Sequence, residues 1–208
     1  MTELEDILRR TAPPSDPETV RALSLHATQA AVAVAAGAVP ITFAITPSPL
    51  GELLVAGSRH GIVRIAYTRF TPADDVLTLL AERISPAIVE TPSGLDQARR
   101  ELDEYFAGDR TTFDLPLDLA LVRGPFGRRV LEQTSRIAFG DAASYAQIAA
   151  RAGSPRAVRA AGNALGANPI PIVIPCHRVL RTGGGLGGYT GGLDAKRRLL
   201  ALEGHDEL

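Results

Sequence analysis

Apolar residues fall in short β-type runs early in the chain and in helix-spaced stripes later. Ile41–Ile45, Leu53–Ala56 and Ile62–Tyr67 are brief strand candidates, and Arg59-His60-Gly61 between the last two predicts a hairpin. From Asp74 to Ile84 the spacing gathers Val76, Leu79 and Leu80 on one side of a helix. Ser93 reads as the cap of a second helix, with Leu95, Ala98, Leu102 and Tyr105 in one stripe and Gly108 as its stop. Phe113–Leu117 reads as a further strand. Helical patterns then dominate, at Phe126–Ala138, Ser144–Ala152, Pro155–Leu165 and Asp194–Glu203. The expected fold class is α+β: a small α/β domain over residues 41–118, then a mostly helical domain over 119–208, joined through the proline-punctuated stretch from Pro116 to Pro125. Residues 1–40 stand apart as an extension without assigned chemistry. Its pattern predicts a short helix at Glu3–Arg10, a linker or turn from Thr11 to Pro17 and an alanine-rich helix over Glu18–Ala36.

Two of the later helices form a recognisable pair. Ser144-Tyr145-Ala146-Gln147 has the capping-box pattern, Gly153 stops that helix, and Ser154-Pro155 reads as the N-cap and first position of the next. A tight glycine-containing turn between two short helices is the helix-turn-helix signature. On the second helix Val158, Ala161 and Leu165 share a core face, while Arg156, Arg159 and Asn163 share an outer one. Ala157, Ala160, Gly162 and Ala164 are all small. Such a bare helix approaches a backbone closely but offers few groups to read base edges, so it suits sequence-independent contact. An ordinary helical hairpin with solvated arginines remains open on this pattern alone.

Charge sharpens the contrast between the halves. The formal net charge is −1, but residues 1–119 carry 10 basic and 17 acidic residues, whereas 120–208 carry 12 and 6. Only the second part can face a polyanion. Hydrophobic residues make up 45% of 208 residues, enough for a real core. The start, Met1 to Arg10, lacks a secretory pattern, and the apolar stretch Ala27–Val39 is too short to span a bilayer. The expectation is a cytoplasmic protein without a membrane partner.

The one cysteine, Cys176, lies in Ile174-Pro175-Cys176-His177-Arg178-Val179. It excludes an internal disulfide and a cysteine-rich zinc site, and it suits a reducing compartment. A free thiol has a pKa of about 8.5 and needs a proton acceptor or a nearby cation to react at neutral pH. Ile172-Val173-Ile174 reads as a buried strand ending at the thiol; neighbouring side chains on a strand point to opposite faces, so direct contact with His177 is not guaranteed and a bridging water could carry the proton. Glu203 is the candidate to hold the imidazole. Many lone cysteines are inert core residues, and that reading stays beside the nucleophilic one. Gly183, Gly185 and Gly188 satisfy G-x-G-x-x-G, but no helix opens directly after them, so the segment reads as a loop and not as a nucleotide cradle.

These residues together resemble the O6-alkylguanine-DNA alkyltransferases, the methylated-DNA–protein-cysteine methyltransferases. The match runs from Asn168 to Val179, continues through Gly188-Tyr189-Thr190-Gly191-Gly192-Leu193 and closes with Leu202-Glu203-Gly204. Ser144–Ala149 and Arg159 fall at the family's spacing, and Ser48–Gly61 and Leu102–Leu117 match more weakly, so that residues 41–205 are covered. The resemblance implies a ribonuclease H-like first domain and a self-inactivating, single-turnover methyltransferase. It would take the alkyl group from O6-alkylguanine, and from O4-alkylthymine, in double-stranded DNA bound through the minor groove.

The resemblance also assigns roles. Cys176 is the acceptor, His177 the base acting through water, and Glu203 its orienting carboxylate. Tyr145 donates to the leaving guanine, and Asn168 braces the turn before the thiol. Arg159 fills the stack vacated by the flipped nucleotide, while Ser154, Arg156, Ala157 and Ala160 contact DNA. Pro171, Val179, Tyr189 and Thr190 line the pocket, and the carbonyls of Cys176 and Val179 read the guanine amino group. No cofactor is implied, and a monomer is expected. The structural zinc of some relatives has no second cysteine to hold it here, so no metal is expected. Two rivals remain: a non-catalytic binder of alkylated DNA, which has no need of the thiol, and a DNA-binding thiol sensor, which has no second cysteine to resolve it.

Overall fold

The computed structural model describes residues 31–205. The helix and turn expected before residue 18 lie outside those residues, and of the helix expected over 18–36 only residues 31–35 are described, and they are helical.

Three strands form first: β1 (Ile41–Thr46), β2 (Leu53–Ser58) and β3 (Gly61–Tyr67). The expected hairpin is present, since β2 pairs antiparallel with both β1 and β3. Helix α1 (Ala73–Arg83) follows, and strand β4 (Ile88–Glu90) then returns parallel to β1, giving the order β3-β2-β1-β4. With three residues, β4 is too short to leave a period in the sequence.

Alternation along β2 explains why the sheet is buried on both faces. Leu54 and Ala56 join Phe43, Val63 and the α1 residues Val76, Leu77 and Leu80 in one core. Leu53 and Val55 point the other way, into a larger core shared with helix α2 (Asp96–Ala107) and the carboxy-terminal helices. Leu77, and not Leu79, completes the buried face of α1. Ser93 caps nothing, because a 3-10 turn (Pro92–Leu95) precedes α2. Gly108 ends α2 as expected, in the left-handed conformation at φ 83°. Phe113–Leu117 is not a strand. Ile62 N–H donates to the Pro116 carbonyl (2.8 Å), but Pro116 has no N–H to continue a ladder, and only an isolated bridge between Ile62 and Leu117 forms.

The second domain contains α3 (Gly124–Thr134), α4 (Tyr145–Arg151), α5 (Val158–Gly166) and α6 (Gly192–Leu202). Strand β5 (Ala143–Ser144), ahead of α4, pairs parallel with β6 (Val179–Leu180), just after the cysteine segment. The domains are joined directly at the site, where Ile65 N–H of β3 donates to the Pro169 carbonyl (2.8 Å).

Candidate active site

The helix-turn-helix is real, with one correction. Ser144 Oγ accepts from Gln147 N–H (3.1 Å) and Gln147 Oε1 accepts from Ser144 N–H (2.7 Å), the reciprocal box that starts α4. Gly153, at φ 82°, turns the chain. Ser154 is not the N-cap of α5. Its carbonyl accepts from Ala157 N–H (2.9 Å) in a separate turn, and the helix begins at Val158. Ser154, Arg156 and Ala157 therefore lie in the connection, and Arg159 and Ala160 sit exposed in the first turn of α5. Ala161 and Leu165 are buried as expected, but Val158 is 37% exposed and faces a cavity.

The segment before the thiol is a tight turn and not the expected strand. Pro171 and Pro175 bound it and supply no N–H to a ladder, and Ile172 is forced to φ 75°. Positive φ is unfavourable for a β-branched residue, so the surroundings must hold it. Asn168, buried in the core, does this: its Oδ1 accepts from Ile170 N–H (3.0 Å) and its Nδ2 donates to the Ile174 carbonyl (2.9 Å). The same Nδ2 lies 3.2 Å from Cys176 Sγ. One amide thus ties the turn to the thiol.

Cys176 opens a 3-10 turn, Cys176–Arg178. Burial pushes its thiol up to about 11, although the Asn168 donor and the Lys196 charge pull the other way. His177 is fully buried, with Nε2 2.9 Å from Glu203 Oε1, while its Nδ1 has no protein partner. With Glu203 ionised, the network assigns the proton to Nε2 and leaves the Nδ1 lone pair as acceptor. Burial lowers the imidazole pKa against the raising effect of Glu203. No hydrogen bond joins His177 to Cys176 directly.

Glu203, at the carboxy-terminal end of α6, is the hub. Burial alone would raise its pKa, but hydrogen bonds from His177, Arg178 and Tyr105 hold it down at about 2. Arg178 grips both carboxylate oxygens, Nε to Oε2 at 2.8 Å and Nη2 to Oε1 at 2.9 Å, and donates Nη1 to the Ile137 carbonyl at 2.6 Å.

A cavity of about 670 Å³ contains Cys176, Tyr145, Arg159, Gly162, Tyr189 and Thr190 in its walls. Tyr145, the first residue of α4, lies against Gly162, where a Cβ would stand 3.8 Å from its ring. Its hydroxyl abuts Gly187, where a Cβ would approach to 2.5 Å and where φ is +68°. Tyr189 Oη is 2.8 Å from Tyr67 Oη of β3, and Thr190 Oγ1 is buried without a partner. Pro171 and Ala160 face a neighbouring cavity of about 620 Å³ that also reaches Thr190. The Val179 side chain is buried in the core, and its carbonyl accepts from Lys196 Nζ at 2.6 Å. Of the residues expected at the site, Cys176, Tyr145, Arg159, Tyr189 and Thr190 line the thiol cavity, Asn168, His177 and Glu203 are buried behind it, and Ser154, Arg156, Ala157, Ala160, Pro171 and Val179 lie outside it.

Three participants were not expected from the sequence. Arg178 was visible only as part of the motif. Tyr105 looked like one more stripe residue of α2. Lys196, the only lysine in 208 residues, is fully buried and also donates to the Leu186 carbonyl of the glycine loop. Burial lowers its pKa to about 8, partly offset by Cys176. A solitary lysine on the core side of a helix was the one available signal.

Fold and site define a class: a two-domain α+β protein carrying a single cysteine in a pocket beside a helix-turn-helix. Residues 41–119 match the model of the 6-O-methylguanine DNA methyltransferase ribonuclease-like domain, and residues 125–205 match that of the DNA binding domain of the same proteins. The chain belongs to the methylated-DNA–protein-cysteine methyltransferase family. It is 41% identical over 157 residues to the constitutive methylated-DNA–protein-cysteine methyltransferase of Bacillus subtilis, covering 75% of this chain and 91% of that protein. The human methylated-DNA–protein-cysteine methyltransferase is 38% identical over 164 residues, covering 76% and 78%. Among solved structures, the Mycobacterium tuberculosis OGT in complex with DNA superposes with a TM-score of 0.67 at 37% identity, covering 79% and 92%.

Proposed function

We propose that the chain repairs DNA by moving the alkyl group from O6 of guanine, and from O4 of thymine, onto Cys176, once per molecule. The observation that carries the reading is a pair of contacts flanking the thiol and the imidazole: Asn168 Nδ2 on Cys176 Sγ, and Glu203 on Nε2 of the next residue, His177, whose Nδ1 has no protein partner. Sγ attacks the alkyl carbon as the carbon–oxygen bond breaks. The thiol proton passes through a water to His177 Nδ1, and the guanine leaves as an anion whose ring nitrogen is stabilised by a hydrogen bond from the Tyr145 hydroxyl. A thioether remains, and the protein is spent.

The lesion must leave the duplex to reach the cavity, at a cost of a few kcal/mol. On this reading Arg159, exposed in the cavity wall, fills the gap, and the small residues of α5 suit a minor groove about 6 Å wide. A lesion occurs in any sequence, so weak base reading fits the task. No helix among the described residues is long and apolar enough to cross a membrane. We take the working state to be a cytoplasmic monomer on double-stranded DNA.

The test is a mass spectrum after incubation with duplex bearing O6-methylguanine. One methyl should appear on the peptide containing Cys176 and be lost in Cys176→Ala. A protein that binds the lesion without gaining mass refutes the proposal.

A further inference from the structure

We propose that Tyr105, from the amino-terminal domain, is a positioning residue of the transfer reaction: its hydroxyl fixes Glu203 Oε1 and thereby sets the orientation and basicity of His177. The inference rests on the reaction proposed above. It also gives the first domain a part in the chemistry, since the thiol, imidazole and carboxylate all come from the second.

The geometry is specific. Tyr105 is completely buried on α2 and donates to Glu203 Oε1 at 2.6 Å, across 98 residues of chain. Its oxygen is also 3.5 Å from His177 Nε2. Glu203 Oε1 therefore receives three donors, Tyr105 Oη, His177 Nε2 and Arg178 Nη2, while Oε2 receives Arg178 Nε. The ring is held by Phe106, Phe113 and Phe139, with centroids at 5.6, 5.3 and 6.2 Å. Burial and the Glu203 charge raise the phenol's pKa, so at neutral pH it donates and never competes as a base. A donor held by three aromatic rings can clamp one lone pair of Oε1 and leave another aimed at the imidazole. It also withdraws charge from the carboxylate, which tempers how strongly Glu203 stabilises protonated His177. The other groups facing His177 are Arg178 and Lys196, both cationic, the Cys176 thiol, and Tyr189, whose ring lies edge-on at 6.2 Å. Of the groups facing His177, only Tyr105 is supplied by α2.

Tyr105→Phe removes the hydroxyl and keeps the ring. We expect transfer from free O6-benzylguanine and from O6-methylguanine duplex to slow by about the same factor, roughly tenfold, a fraction of what general base catalysis supplies. With one donor gone, Glu203 holds the imidazolium more tightly, so the His177 titration, followed by NMR of its ring, should move to higher pH. The acid limb of the rate profile should move with it. Phe113→Leu is the control for packing: it disturbs the same ring contact and should leave both titration and limb in place. An unmoved His177 titration in Tyr105→Phe, or equal slowing in the two variants with no shift, overturns the proposal. A shifted titration in a protein whose wild type accepts no alkyl group would instead remove the reaction and leave the tuning standing.

Discussion

Replacing Asn168 by Ala separates the structural and chemical roles of one amide. The side chain is 2% exposed and makes three contacts, to Ile170 N–H, the Ile174 carbonyl and Cys176 Sγ. Truncation leaves Ile170 N–H buried without a partner, at a cost of about 1–3 kcal/mol. The Ile174 carbonyl loses one of two donors, because Cys176 N–H remains on it at 2.7 Å, and that adds about 0.5–1.5 kcal/mol. The sum, about 1.5–4.5 kcal/mol, is a large share of a typical domain stability of about 5–15 kcal/mol. With a urea m-value of about 2 kcal/mol per molar, the unfolding midpoint should fall by about 1–2 M. Asn168→Asp isolates the second role. It keeps an oxygen for Ile170 N–H and should recover part of the midpoint, yet it returns no amide donor to the sulfur and should stay slow in alkyl transfer. An Ala variant that unfolds within about 0.5 kcal/mol of wild type, the range of an ordinary surface change, would show that this amide does not hold the Ile172 turn.

Glu203→Gln should cost about 3–5 kcal/mol in a melt, because it strands the buried Arg178 guanidinium. The same carboxylate sets an acid window: its folded pKa of about 2 lies below the ordinary 4.5, so its stabilisation is full above 4.5 and fades as pH falls toward 2. Wild-type stability should drop across that interval by more than that of the Gln variant, and parallel curves would refute the assignment. Arg159→Ala should slow repair of duplex lesions more than reaction with free O6-benzylguanine, and equal slowing would mean that Arg159 does not act on the duplex. Gly187→Ala puts a Cβ 2.5 Å from Tyr145 Oη at φ +68°, so transfer should slow, with a stability loss of about 1 kcal/mol or more. Unchanged transfer would show that the loop yields and Tyr145 keeps its place.

What was legible in the sequence was what local physics controls. The hairpin of β2 and β3, the α2 stripe with its Gly108 stop and the Ser144 capping box each depend on residues within a few positions of one another. The motif around Cys176 was legible because its residues are contiguous. The failures have more than one origin. Ile172-Val173-Ile174 has strand composition, but two flanking prolines and the nearby Asn168 amide impose a turn that no period encodes. Ser154-Pro155 has cap composition, but the chain spends those residues on a separate turn before α5 begins. Tyr105 and Lys196 fit their helical patterns, so nothing local distinguishes a core filler from a donor that reaches Glu203 or the Val179 carbonyl.

The charges around the sulfur also explain how a thiol at about 11 can serve a reaction at neutral pH. Burial holds the thiol protonated and the imidazole neutral, so the resting site is neither thiolate nor imidazolium. Arg178 balances Glu203, His177 is neutral, and Lys196 is left as the buried cation on the sulfur's side. Moving one proton from Cys176 to His177 creates a negative sulfur that faces Asn168 Nδ2 and the Lys196 charge, and a positive ring that faces Glu203. Each partner is in place before the charge appears, so its orientation costs nothing at the moment of transfer. A sulfur that ionises only as an alkyl carbon meets it is also poorly reactive toward stray electrophiles. That property matters for a protein which, on the proposed mechanism, can react once.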